Sequence, residues 1–292
     1  MANWLTSRIK GCEFLLLIAA LCGPLVANAT SEGTKAGLSR AHDPLQLDSS
    51  VALVADADTS EVLFAKNPHV SLPIASITKL MTVVVVLRAG LDLDELVTIT
   101  KDDYDHYKGT WSRLAAGETF TRRDLIHLAL MSSENRAASA LGRSYPGGTV
   151  AIVQDMNLMA RNLGMTDTVF SETTGLSFEN RSTANDLALL VMHASQYRLI
   201  QAYSTSPDYS VLANVGPLMF KNTNRLIKKE DWEILIQKTG FIDEAGRCLV
   251  MQARVGQRNL VIVLLDSSKR ASRYLDAERI RTHFASATQP GN

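Results

Sequence analysis

The chain has 292 residues, 46% hydrophobic and 21% charged, which suits an ordinary globular protein of one large domain or two joined lobes. Thirty basic and thirty acidic side chains cancel to zero formal charge, which argues against a broad basic surface and so against nucleic acid as a partner. Its six histidines are scattered and no His-x-x-x-His or Cys-x-x-Cys pair occurs, so no metal centre and no cofactor are expected.

Residues 1–29 read as an export signal. Arg8 and Lys10 precede the apolar run 14–21, and Ala27-Asn28-Ala29 supplies small residues for cleavage before Thr30. The apolar run is short of the ~20 residues that a membrane span needs. Cleavage removes Cys12 and Cys22 and leaves Cys248, which reads as a buried apolar residue, with no internal disulfide. Residues 30–45 are polar, without apolar period, and read as a flexible leader.

Two β-type runs, 50–56 and 61–66, flank the turn residues Asp58-Thr59-Ser60 and predict a hairpin. A helix is expected from Ser76 to Arg88, stopped by Gly90. Its four consecutive valines, 83–86, favour a strand by themselves, but they continue Leu80-Met81 and precede a glycine stop. A helix apolar on all sides belongs at the centre of a core. Further helices are expected over 121–131, over 136–141, from Thr149 to Leu163, and from Ser182 through Met192. His127 and His193 fall inside these apolar stretches and read as packing residues. Strands return from about Val215, with 233–240 ending in a polar tip and 247–254 paired with 259–265 around Gly256-Gln257. A final amphipathic helix covers 272–285. The expected fold is α/β (α+β): an antiparallel sheet built from about 46–75 and 215–289, flanked by helices, with an all-helical lobe of about 76–205 inserted between.

Three short stretches carry chemistry. Ser76 and Lys79 stand one helical turn apart, so an amine can take the proton of a serine hydroxyl that is otherwise a poor nucleophile. That spacing alone is weak, since Ser7 and Lys10 share it. Ser133-Glu134-Asn135 follows, and then Lys238-Thr239-Gly240. Cleavage of an amide needs a nucleophile, a base, an acid for the leaving amine and donors for an oxyanion. Ser76 can be the nucleophile and Lys79 the base, made partly neutral by burial and by Lys238 as a second cation. Ser133 can protonate the leaving nitrogen, and Asn135 can hold Lys79 and donate to a substrate carbonyl. Lys238 and Thr239 can receive a carboxylate, while Gly240 lets a ligand lie against the strand edge. Backbone N–H groups of Ser76 and Phe241 are the natural oxyanion donors. Read singly, each stretch is also plain helix surface, a helix cap or a strand end.

Together and in this order, the motifs resemble those of low-molecular-mass penicillin-binding proteins, the serine D-alanyl-D-alanine peptidases, over about 46–289. The flanking residues Pro73-Ile74-Ala75, Leu130-Met131-Ser132 and Phe241-Ile242-Asp243-Glu244-Ala245-Gly246-Arg247 are also similar, most of all to the type-7 endopeptidase branch. The resemblance implies a β-lactamase/DD-peptidase-like fold over 46–289. It implies hydrolysis of D-alanyl-diaminopimelate cross-links of peptidoglycan through an acyl-enzyme on Ser76, and covalent inhibition by β-lactams. A periplasmic enzyme with at most loose membrane association is expected, because the chain ends soon after its last helix, without the additional β domain and anchor of longer carboxypeptidase relatives. Phe241 departs from those relatives, which carry histidine after Lys-Thr-Gly.

Three other functions compete. A D-alanyl-D-alanine carboxypeptidase shares the acyl-enzyme step. A class A β-lactamase needs a Glu-x-x-Leu-Asn loop beyond the second motif, and Glu172-Thr173-Thr174-Gly175-Leu176 lacks that pattern. A non-catalytic β-lactam- or wall-binding protein on the same scaffold would not need all three motifs intact.

Overall fold

The computed structural model describes residues 30–38 and 43–286, so the export-signal reading of 1–29 lies outside the described residues. A helical turn, α1 (Glu32–Lys35), precedes the hairpin of β1 (Val51–Asp56) and β2 (Val62–Lys66). The short β3 (Leu72–Pro73) leads into a 3-10 turn, Ala75–Ile77, that runs on as α2 (Thr78–Arg88). A ribbon of β4 (Leu96–Thr98) and β5 (Thr119–Thr121) follows, then α3 (Arg122–Met131), α4 (Asn135–Arg143) and α5 (Gly148–Asn162). Next come β6 (Arg181–Ser182), α6 (Ala184–Ala194), α7 (Arg198–Thr205) and the hairpin of β7 (Asp208–Ala213) and β8 (Gly216–Lys221). The chain closes with β9 (Glu233–Ile242), β10 (Gly246–Val255), β11 (Arg258–Ser267) and α8 (Ser272–Ser286).

The main sheet is antiparallel with strand order β2-β1-β11-β10-β9, so the two chain ends meet where β1 pairs with β11. Both faces are covered, which is why its central strands are almost wholly apolar. Alternation persists in where each side chain goes. Val51, Leu53, Val261, Val263 and Leu265 face the helical side, while Ala52, Val54, Leu260, Ile262 and Leu264 meet Tyr274, Ala277 and Ile280 of α8. The fold is thus the expected antiparallel sheet flanked by helices, with a mainly helical region between its two halves.

Helix α2 is the hub. Every residue from Thr78 to Val86 is buried, and α3, α4, α5 and α6 pack around it. Helix propensity penalises a valine by a few tenths of a kcal/mol, whereas burying its side chain gains ~1.5–3 kcal/mol, so the tertiary term decides. Side-chain caps start α3 and α6. Thr121 Oγ1 accepts from Asp124 N at 3.0 Å and Asp124 returns the bond to Thr121 N, a capping box that starts α3. Thr183 Oγ1 caps α6 through Asp186 N at 3.1 Å.

Three differences from the sequence reading have local causes. The leader contains α1, whose Glu32 N donates to Glu244 O and whose Glu32 carboxylate pairs with Arg181, so polar composition did not exclude docking. The inserted region is not all helical, because β4 and β5 pair across 96–98 and 119–121. Strand structure resumes at Asp208, since Val211, Ala213 and Phe220 bury one face of the β7–β8 hairpin. His127 lies between the rings of Tyr203 and Tyr209, at 4.1 and 3.8 Å, and burial pushes its pKa down to about 4. It is a neutral packing residue, away from the three motifs. Among the described residues no helix is long and apolar enough to cross a membrane.

Candidate active site

Ser76 occupies the 3-10 turn that starts α2, immediately after Ala75, whose φ of 48° is left-handed. A non-glycine residue held there costs on the order of 1–2 kcal/mol, so the neighbours must fix it. Two glycines permit that. A Cβ on Gly175 would stand 1.9 Å from Ala75 O, and one on Gly240 would stand 3.0 Å from Ile74 O. The Ile74–Ser76 backbone thus takes the space that a Gly240 side chain would need, while Gly240 itself lines the cleft. Ile74 N also donates to Asn180 O at 3.0 Å.

Lys79 lies one turn on and is fully buried. Its Nζ is 2.8 Å from Ser76 Oγ, 2.8 Å from Asn135 Oδ1 and 2.5 Å from Thr174 O. Burial pushes its pKa down to about 8, against the opposing pull of Glu172, Glu134 and Asp105. Three acceptors match the three N–H bonds of an ammonium. After loss of one proton, two donors remain for Asn135 and Thr174, and the lone pair is left for the Ser76 hydroxyl.

Thr174 sits on a loop that Glu172 organises. The buried Glu172 carboxylate accepts from Thr174 N at 2.5 Å, Gly175 N at 2.5 Å and Thr174 Oγ1 at 2.5 Å, and also from Asn180 Nδ2. It is therefore committed to holding the loop beneath Ser76, in agreement with the missing β-lactamase pattern.

The second motif forms the turn between α3 and α4. Ser133 has a left-handed φ of 60° and lines the cleft, and Asn135 begins α4. The Asn135 amide bridges inward to Lys79 through Oδ1 and outward to Thr110 Oγ1 through Nδ2, at 2.9 Å.

The third motif lies on β9, an edge strand of the sheet. Lys238 is fully buried, with Nζ donating to Thr239 O at 2.9 Å. Burial, then the charges of Lys79 and Arg273, lower its pKa well below the usual lysine value. The charge of Lys79 thus acts on Lys238, whereas Lys79 itself is lowered by burial against the carboxylates around it, and not by Lys238 as the sequence reading expected. Thr239 Oγ1 is 2.6 Å from Thr223 Oγ1, and Phe241 is half exposed beneath the Arg247 guanidinium.

All three stretches converge on one cleft of about 350 Å³ lined by Ser76, Ser133, Asn135, Thr239, Gly240 and Phe241. Lys79 and Lys238 lie behind its wall. Sequence reasoning missed Thr110, Thr223 and Arg273, which also line it. Arg273 reaches from α8, its Nη1 donating to Gly240 O at 2.8 Å and Cys248 O at 3.1 Å. No short motif surrounds any of them, so the sequence carried no signal for their place in the cleft. Across the cleft mouth, Lys108 pairs with Glu244 at 2.6 Å.

A serine, a buried lysine and an asparagine joined by short hydrogen bonds beside a Lys-Thr-Gly strand define a serine acyl-transfer site. Residues 38–269 match the D-alanyl-D-alanine carboxypeptidase family of peptidases, and the chain belongs to it. It is a serine-type D-alanyl-D-alanine peptidase. It is 44% identical over 275 residues to the D-alanyl-D-alanine endopeptidase of Pseudomonas aeruginosa, covering 92% of this chain and 87% of the relative. It is 38% identical over 277 residues to the D-alanyl-D-alanine endopeptidase of Escherichia coli, covering 94% and 87%. Among solved structures, penicillin-binding protein D2 of Listeria monocytogenes in its cefotaxime-bound form superposes with a TM-score of 0.73 at 29% identity, over 82% of this chain and 98% of that one.

Proposed function

We propose that this chain is a DD-endopeptidase that hydrolyses D-alanyl-diaminopimelate cross-links of peptidoglycan and is acylated by β-lactams at Ser76. The observation that carries the reading is the buried Lys79 amine behind the cleft wall, 2.8 Å from both Ser76 Oγ and Asn135 Oδ1. The endopeptidase names of the two relatives favour cross-link cleavage over trimming of terminal D-alanine. Phe241 supports the same choice.

Neutral Lys79 takes the Ser76 proton as Oγ attacks the D-alanyl carbonyl. The N–H groups of Ser76 and Phe241 hold the oxyanion, each such donor typically contributing ~3 kcal/mol. Ser133 passes a proton to the departing amine, and Asn135 Nδ2 orients a substrate carbonyl. The substrate's carboxylate meets the side of the cleft lined by Thr239 and Arg273, with Lys238 buried behind it. Its backbone lies along the β9 edge. Water then frees the acyl group. Glu172, engaged with its own loop, gives no fast route for β-lactam release, so the adduct persists. The enzyme acts in the periplasm after signal removal before Thr30, at most loosely attached to the membrane.

Digestion of purified sacculi tests the assignment. Dimeric muropeptides should fall as monomers rise, with no such change for Ser76→Ala. Free D-alanine released while dimers persist would establish a carboxypeptidase instead. Continued penicillin labelling of the Ser76→Ala protein would remove the acyl-enzyme altogether.

A further inference from the structure

Lys108 and Thr110 of the segment 104–113 line the cleft, and a short relay ties the segment to Asn135. Asp105 Oδ1 accepts from the backbone N–H groups of Tyr107 at 2.8 Å and Lys108 at 2.9 Å, and Oδ2 accepts from Thr110 N at 2.8 Å and Thr110 Oγ1 at 2.7 Å. Burial pushes the Asp105 carboxyl up, but these bonds outweigh it and hold it below the usual carboxylate range. An ionised carboxylate only accepts, so the single hydroxyl hydrogen of Thr110 points at Asp105. Thr110 Oγ1 can then only accept from Asn135, and the carboxamide atom facing it at 2.9 Å must be the nitrogen.

We propose that Thr110, its hydroxyl hydrogen held by Asp105, is a positioning residue that fixes the Asn135 carboxamide with Oδ1 on Lys79. The assignment rests on the serine-peptidase reading given above. It matters during the reaction itself. An ammonium Lys79 orients the amide from the inner side, because it has only donors. Once Lys79 is neutral and its lone pair faces Ser76, that constraint weakens, and the Thr110 end holds the amide. The second Nδ2 hydrogen stays available to the cleft.

The test compares Thr110→Val, which keeps the shape and removes the hydroxyl, with Thr110→Ser, which keeps it. Acylation by a fluorescent penicillin is followed against pH, with thermal melting as a folding check. The charges facing Lys79 are Lys238 from β9, Glu134 from the start of α4, Glu172 from its loop and Asp105 from the segment 104–113, and neither variant changes them. Thr110→Val should acylate about fivefold more slowly, the scale of one hydrogen bond. The midpoint of its pH profile should move downward, because without Thr110 the amide gains freedom to turn only when Lys79 is neutral, which favours the neutral amine. Thr110→Ser should restore rate and midpoint. A Thr110→Val rate loss with an unmoved midpoint, or equal impairment in Thr110→Ser, would overturn the assignment, as would parental behaviour of Thr110→Val. Labelling of Ser76→Ala is a separate arm: its persistence would defeat the serine-peptidase reading whatever Thr110 does.

Discussion

Replacing Gly175 with alanine probes the packing that sets the nucleophile. Gly175 has φ of 81°, and its Cβ would stand 1.9 Å from Ala75 O, 2.3 Å from Ala75 C and 2.7 Å from Ser76 N, where 3.4 Å is ordinary contact. The left-handed backbone alone costs an alanine ~1–2 kcal/mol. The clash adds more, because the atoms it strikes are rigid backbone, so the turn must move by about an ångström or more. A displacement of ~1 Å at reacting atoms can cost ~100-fold in rate. Thermal melting should therefore fall by several degrees, about 2–4 °C for each kcal/mol in a chain of this size. Acylation by a fluorescent penicillin should fall about 100-fold, much further than the loss of stability alone explains. Acylation within threefold of the parent would show that Gly175 does not set the position of Ser76.

Because Lys79 must be neutral to act as base and its pKa is pushed down to about 8, acylation should climb with pH toward about 8 and level off above it. A rate independent of pH between 6 and 9 would exclude Lys79 as the titrating base. Lys79→Ala should reduce acylation by at least ~100-fold while leaving a folded protein, as judged by circular dichroism. Glu172→Ala strips the acceptor from the Thr174 and Gly175 N–H groups and should lower stability by about 3 kcal/mol or more, measured by urea denaturation. Unchanged stability would contradict its place in the loop. Cys248 is fully buried with its thiol pushed up to about 12, so in a chain beginning at Thr30 it should resist thiol reagents until the protein unfolds.

Much of this molecule was legible in the sequence because its signals are local. Thr121 and Thr183 cap helices by accepting from backbone N–H groups three residues on, and the strands expected over 233–240, 247–254 and 259–265 follow from apolar runs broken by turn residues. The Ser76–Lys79 pair is legible for the same reason: helical geometry brings residues three apart onto one face. The valines of 83–86 needed the glycine stop and the surrounding apolar residues to be read as helix.

What only the tertiary structure decided involves groups far apart in the chain. Gly240 makes room for the Ile74–Ser76 backbone, an assignment that depends on how β9 docks. Arg273 reaches the cleft from a helix on the opposite side of the sheet, and Thr110 meets Asn135 across 25 positions. None of these contacts has a sequence period, because a buried charge or amide is satisfied by whatever the fold brings within about 3 Å. The sequence determined which residue types carry the chemistry; packing determined which of their atoms face one another.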